Sequence, residues 1–234
     1  TFDLEEKQNQ LLSRMLGHRV GGIILCPVSD ISKESIEFIN NIDLPIVHAV
    51  REFDDLHCDY VGIDYVKGAE LAVQHLIERG HRKIAFVGGS PQSSAWKGRE
   101  KGYRNVLVKA GIPLNDSYIV PTSISREGGL EAVQKLFQLA EPPSAIFCFN
   151  DFVAHGVNLA LKEKGLEPGK DIAVVGFDNT YESSLYTPPL TTVSSFPEII
   201  GSHAANLLYQ RMTEKPGKKR RLILQPSLVI RESS

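Results

Sequence analysis

Short apolar runs alternate along this chain with longer stretches in which apolar positions recur every three or four residues. The runs lie at 22–27 ("GIILCP"), 45–50 ("PIVHAV"), 60–64 ("YVGID"), 83–88 ("KIAFVG"), 118–120 ("YIV"), 145–150 ("AIFCFN") and 172–178 ("IAVVGFD"). Each is short, rich in Val, Ile and Phe, and reads as a strand buried on both faces. Between them Ala69, Ala72, Val73, Leu76 and Ile77 repeat with helical period. Val133, Leu136, Phe137 and Ala140 do the same, as do Ile200, Ala204, Leu207 and Leu208. Strands alternating with helices predict parallel sheets with helices on both faces. One sheet could hold every strand, and two open α/β lobes fit the length equally well.

Composition narrows the class. The 234 residues are 42% apolar and 23% charged, ordinary for a globular protein. Lys and Arg number 26 against 28 Asp and Glu, so no basic excess marks a nucleic-acid surface. Cys26, Cys58 and Cys148 are too few for a disulfide framework and suit reduced thiols in a cytoplasmic protein. No apolar run approaches the ~20 residues of a membrane span, and the polar opening "TFDLEEKQNQ" shows no signal peptide. The basic run at 216–221 ("PGKKRR") reads as a solvated connection.

Ligands of open parallel sheets bind at the carboxyl ends of strands. Those ends carry Val50-Arg51, Asp64, Gly88-Gly89-Ser90, Asn150-Asp151 and Asp178-Asn179. "VGGS" at 87–90 lacks both the Gly-Lys-Ser/Thr of a phosphate loop and GxGxxG, and reads as a tight strand-to-helix turn. There is no GxSxG, no CxxC and no histidine pair at metal spacing, so neither a catalytic base–nucleophile pair nor a cofactor or metal is expected. His155 follows Asp151 by four residues, which fits an exposed helical histidine. Arg offers a planar fork of donors, Asn both donor and acceptor, and Asp acceptors, which together suit a polar pocket that binds without reacting.

The stretches "LPIVHAV", "GAELAVQHLIERGHRKIAFVGG", "REKGYRNVLVKAGI", "PPSAIFCFNDFVAHG", "DIAVVGFDN", "PPLTTV" and "LVIRES" occur in the order of the LacI/GalR family of bacterial transcription regulators. Over nearly its whole length the chain resembles that family's effector-binding core. The resemblance implies a two-lobed, periplasmic-binding-protein-like α/β fold with parallel sheets and three crossings between lobes. The crossings are expected near 80–83, 190–194 and 213–220. Residues 1–80 and 193–215 would form the N-terminal lobe, and 81–192 and 216–234 the C-terminal lobe. It also implies a helix-turn-helix domain, a hinge and the first strands of the N-terminal lobe ahead of the helix at 4–16, so the sequence is expected to be part of a longer protein.

Site roles follow position by position. Arg99, in the R-x-x-G-Y pattern with Gly102 and Tyr103, matches the family's effector-contacting arginine. Asp178 in "VVGFDN" matches its effector-contacting acid and Asn150 its strand-end binding position. Phe147 suits ligand stacking and core packing alike, Trp96 is placed to stack over a ring, and Asp151 suits a helix cap. Two departures stand out. Val50-Arg51 replaces the Asp-Arg of many relatives, and Ser194-Ser195-Phe196 replaces a common glutamine, which makes Arg51 and Ser195 candidate contacts for a less standard ligand. The implied partners are a small-molecule effector, most simply a sugar, held in the interlobe cleft; operator DNA through the N-terminal domain; and a second copy in a homodimer, with 181–189 as a candidate contact. A periplasmic sugar-binding protein of a transporter shares the fold and is the alternative; a sugar-converting enzyme is a third class.

Overall fold

The computed structural model describes residues 1, 3–213 and 217–234. In chain order the elements are α1 (Glu5–Gly17), β1 (Ile23–Leu25), α2 (Lys33–Asn40), β2 (Ile46–Ala49), β3 (Asp59–Ile63), α3 (Tyr65–Glu78), β4 (Ile84–Val87), α4 (Ser94–Lys109), β5 (Ile119–Val120), α5 (Arg126–Leu136), β6 (Ala145–Cys148), α6 (Asp151–Glu163), β7 (Ala173–Asp178), β8 (Thr191–Ser194), α7 (Pro197–Thr213), β9 (Arg221–Leu224) and β10 (Ser227–Val229). Every apolar run of the sequence becomes a strand, as the alternation predicts.

The chain divides into two compact units. The first comprises Thr1–Ile63, Gln92–Ala95 and Phe196–Leu224; the second comprises Asp64–Pro91, Trp96–Ser195 and Gln225–Ser234. The first unit holds a sheet of order β1-β2-β3-β9, parallel throughout. On one face α1 and α2 close a core of Leu12, Ile23, Leu25, Ile39, Ile46 and Leu56. On the other lies α7, with Leu208 so near the sheet that a Cβ on Gly22 would meet it at 2.8 Å. The end of α7 is tied down by Arg211, whose Nε and Nη2 donate to the two oxygens of Asp59 at 2.8 Å each. The backbone N–H of Arg220 donates to the same carboxylate.

The second unit holds a sheet of order β10-β8-β7-β6-β4-β5, parallel except for β10. Alternation along each strand sends residues to opposite faces. Ala85, Val87, Ile146, Cys148 and Val174 meet α5 and α6 in one core. Phe86 and Phe147 face the other way and stack on each other at 5.2 Å. There α3 and α4 cover the sheet, and the Tyr103 hydroxyl of α4 donates to the carbonyl of Ile84.

Three sequence expectations change. The helix at 65–78 belongs to the second unit, so the chain first crosses at Ile63–Asp64 and not at 80–83. The reason is close packing: a Cβ on Gly68 would lie 2.7 Å from the Phe177 ring, so α3 presses on β7. Apart from the short stretch Gln92–Ala95, the chain stays in the second unit until Ser195, because 191–194 is strand β8 and remains in the second sheet, so the crossing expected at 190–194 falls after Ser195. The segment 216–234, expected as a whole in the C-terminal lobe, carries two strands in different sheets. It breaks at Gln225-Pro226, where β9 ends its pairing with β3 and β10 begins pairing with β8. A proline N has no hydrogen to give a ladder. The expected boundary at 215–216 and part of the crossing at 213–220 lie outside the described residues.

Asp59 is 2% exposed. Burial alone would raise its pKa; the bonds from Arg211 and Arg220 and the charge of both guanidinium groups outweigh this and leave it lowered. Its stabilising effect is therefore full above the unfolded-state pKa of ~3.9 and is lost as pH falls through the lowered folded value. Asp59→Ala strands the Arg211 guanidinium and should cost about 3 kcal/mol in urea unfolding. The variant should also show a flatter loss of stability below pH 4 than the parent.

Candidate ligand-binding site

In the second sheet the strand order reverses between β4 and β6: β5 is added outside β4, and β7 and β8 outside β6. Such a switch point opens a crevice at the carboxyl ends of the strands. Here those ends are Gly88-Gly89 after β4 and Phe149-Asn150 after β6. Both glycines have positive φ, 89° and 79°. A Cβ on Gly89 would meet the Phe149 ring at 2.5 Å and Trp96 at 2.7 Å, so the turn needs glycine for space as well as conformation.

Arg99 on α4 occupies this end of the unit. It is 3% exposed. Its guanidinium carbon lies 3.8 Å from the centroid of the Phe177 ring, 4.4 Å from that of Phe149 and 4.5 Å from that of Tyr65. Nη2 stands 3.7 Å from Oδ1 of Asp178, whose side chain is 37% exposed. Cation–π contacts of a desolvated guanidinium are worth ~2 kcal/mol or more. Burial raises the pKa of Asp178 in spite of Arg99 and the Ser195 hydroxyl, which pull it down. The backbone is strained here: φ is 102° at Asp178 and 53° at Asn179. In the first unit Val50, just beyond β2, has φ 70°, an outlier for a β-branched residue. Strain of this kind gathers at ligand sites.

The other candidates are placed as follows. Asn150 is the N-cap of α6, its Oδ1 accepting from the Val153 N–H at 3.0 Å. The cap expected of Asp151 thus belongs to Asn150. Asp151 turns inward instead, is 1% exposed, and accepts from the Thr192 hydroxyl at 2.6 Å and the Thr180 N–H at 2.8 Å. Ser195 sits beside Asp178, its hydroxyl 3.5 Å from the Asp178 carbonyl. Trp96 is buried, donating from Nε1 to the Gly88 carbonyl with its ring 5.7 Å from Phe86. It braces the glycine turn from inside. Phe147 is wholly buried and packs on Phe86, so core packing claims it. Arg51 belongs to the first unit, where Nη1 binds Asp3 at 2.5 Å and the Pro27 carbonyl at 2.8 Å.

The sequence reading missed Tyr65, Phe149 and Phe177, the three rings around Arg99. A signal was present: an aromatic residue adjoins the polar strand-end residue in Asp64-Tyr65, Phe149-Asn150 and Phe177-Asp178. Among the described residues no group of three or more His, Cys, Asp or Glu could hold a metal, and no helix is long and apolar enough to cross a membrane.

A family model described as a periplasmic binding protein-like domain matches residues 73–234. The HTH-type transcriptional repressor PurR of Pasteurella multocida is 32% identical over 230 residues, spanning 97% of this chain and 68% of that repressor. A solved complex of the transcriptional regulator CelR with cellobiose superposes with a TM-score of 0.89 at 28% identity, covering 97% of this chain and 69% of that one. A LacI family transcriptional regulator from Enterococcus faecium with bound ribose gives 0.87 at 25% identity, covering 99% and 90%. The sheets, the switch point and the matched domain define a periplasmic-binding-protein-like effector core. The chain belongs to the LacI family of transcriptional regulators.

The pKa of Asp151 is pushed up to about 7, first by burial and then by the charge of Asp178, with the Thr192 and Thr180 bonds offsetting part of the rise. A raised acid binds its proton more tightly in the folded chain than in the unfolded one. Stability should therefore fall as pH rises from about 4 to about 7, by at most ~1.4 kcal/mol per pH unit, and level off above. Unfolding midpoints of the parent and Asp151→Asn, compared across this range, should differ by that slope.

Proposed function

We propose that the chain is the effector-binding core of a DNA-binding repressor, and that its effector is a sugar or sugar derivative held by Arg99, Asp178, Asn150 and Ser195. The observation that carries this reading is the buried guanidinium at the switch point, caged by three rings and facing a partly exposed carboxylate. Arg99 offers donors and Asp178 acceptors to neighbouring hydroxyls of one ring. The cap uses Oδ1 of Asn150, which leaves the amide NH2 for a ligand oxygen. Cellobiose and ribose in the two solved relatives support a saccharide.

The chain acts by binding and not by turnover, in the cytoplasm, and the effector sets the affinity of the whole protein for its operator. Control of this kind needs unequal affinity for two conformations and is typically worth ~1–3 kcal/mol. The protein works as a homodimer. Tyr181 and Leu185 on the loop after β7 and Phe152 on α6 are 77%, 63% and 60% exposed, an apolar set in keeping with a contact between copies.

Thermal unfolding against pentoses, hexoses, disaccharides and sugar phosphates tests the effector. A ligand at ~100 times its Kd should add ~2.7 kcal/mol of stability, and Arg99→Ala should abolish the shift. A shift of equal size in both proteins places the ligand elsewhere. Sedimentation equilibrium tests the dimer: Leu185→Asp with Tyr181→Ser should weaken self-association at least about tenfold, by charging and removing apolar contact.

A further inference from the structure

The carboxylate of Asp151 is built into a niche that its role as a first-turn helix residue does not require. Gly176 in β7 makes the space: a Cβ there would stand 2.2 Å from Oδ1 of Asp151. The Thr192 hydroxyl of β8 donates to Oδ1, and the Thr180 N–H, two residues past Asp178, donates to Oδ2. One side chain on α6 thus joins two strands and the start of the loop that runs from Thr180 to Pro189. The loop is otherwise held by Arg231. That guanidinium donates to the Leu190 carbonyl, the Ser183 hydroxyl and Oδ1 of Asn179. The Ser183 hydroxyl in turn donates to the Thr180 carbonyl, and the Leu190 N–H to the Ser183 carbonyl. Thr180 is therefore where the strand end bearing Asp178 becomes the loop bearing Tyr181 and Leu185.

We propose that Asp151 is a positioning residue that transmits the state of the Arg99–Asp178 pair to the Thr180–Pro189 loop through its bonds to Thr180 and Thr192. The proposal rests on the reading of Arg99 and Asp178 as the effector's contacts. The charged and titratable groups around Asp151 are Asp178 on β7, Arg99 on α4, Tyr186 on the loop and Cys148 on β6, and each shares an electrostatic interaction with it. A change at the pair therefore reaches the Asp151 carboxylate directly. Oδ2 passes it to a backbone N–H, the group that sets where the loop begins. Protonation keeps the link, because a carboxylic acid in the niche still accepts from Thr180 while donating to the Thr192 oxygen. Asn in its place can do the same; Ala cannot.

Amide hydrogen exchange of the 234-residue chain without ligand supplies the test, as a double-mutant cycle. The Arg99→Gln substitution perturbs the pair from another element, far in sequence from the loop. With Asp151 present it should change exchange at residues 180–187 at least about threefold. With Asp151→Ala the change should shrink below about 1.5-fold, and with Asp151→Asn it should return. If Asp151→Ala fails to fold, Thr192→Val gives the same cycle; it deletes the bond to Asp151 Oδ1 and the acceptor of the Asn179 N–H, and leaves the Thr180 bond to Oδ2 in place. An equal effect of Arg99→Gln in all backgrounds overturns the proposal, since the loop would then follow the strand end through the chain alone. No effect in any background overturns it as well. Because no ligand enters the cycle, its failure is separate from failure of the effector assignment, which the saccharide panel reads.

Discussion

A guanidinium removed from water must be repaid locally, and the second unit is arranged around that requirement at Arg99. Desolvation disfavours the charge; an isolated ion in an apolar interior is costly by many kcal/mol. Phe177, Phe149 and Tyr65 meet its faces, and Asp178 stands at its edge. The four partners come from three places: β7, the residue just past β6 and the start of α3. Holding them together requires α3 pressed on β7 through Gly68 and the β4 turn closed by Gly88 and Gly89. The same set of groups brings both donors and acceptors to the switch point.

Three acids show how one residue type takes three roles by environment. Asp59 is buried against two arginines, has its pKa lowered, and holds α7 to the first sheet. Asp178 is partly exposed with one arginine nearby and faces the carboxyl-end crevice. Asp151 is buried, and its hydroxyl and N–H donors offset only part of that burial, so its pKa rises to about 7. Two hydrogen-bonded arginines keep the first ionised, while burial dominates in the last. In the sequence all three are an aspartate at a strand or helix end.

The polar residues that end the strands serve the fold at the same edge where the crevice opens. Asn150 caps α6 and Asp64 caps α3, each through a side-chain oxygen to a backbone N–H three residues on. A parallel strand that runs straight into a helix needs such a cap at the same edge where ligands bind. A polar strand end is therefore no proof of a binding role by itself. At Asn150 the cap uses Oδ1 and leaves the amide NH2 for one.

Local pattern was enough for the class of fold. Apolar runs and helical periodicity depend on residues close in sequence, and the strands at 84–87, 145–148 and 173–178 were legible as buried parallel strands. Arg99, Asn150 and Asp178 entered as candidates through the family motifs that contain them. Tertiary packing decided the rest. Phe147 and Phe149 are two residues apart and both buried, yet only the latter lies beyond the end of β6 and reaches Arg99. Trp96 points inward because Gly88 offers its carbonyl there. The helix at 65–78 joins the second unit because Gly68 lets it approach Phe177. The last strand splits at Pro226 because its halves find partners in different sheets. In each case periodicity states that a side chain is buried, and only the partner it meets across the fold states what the burial is for.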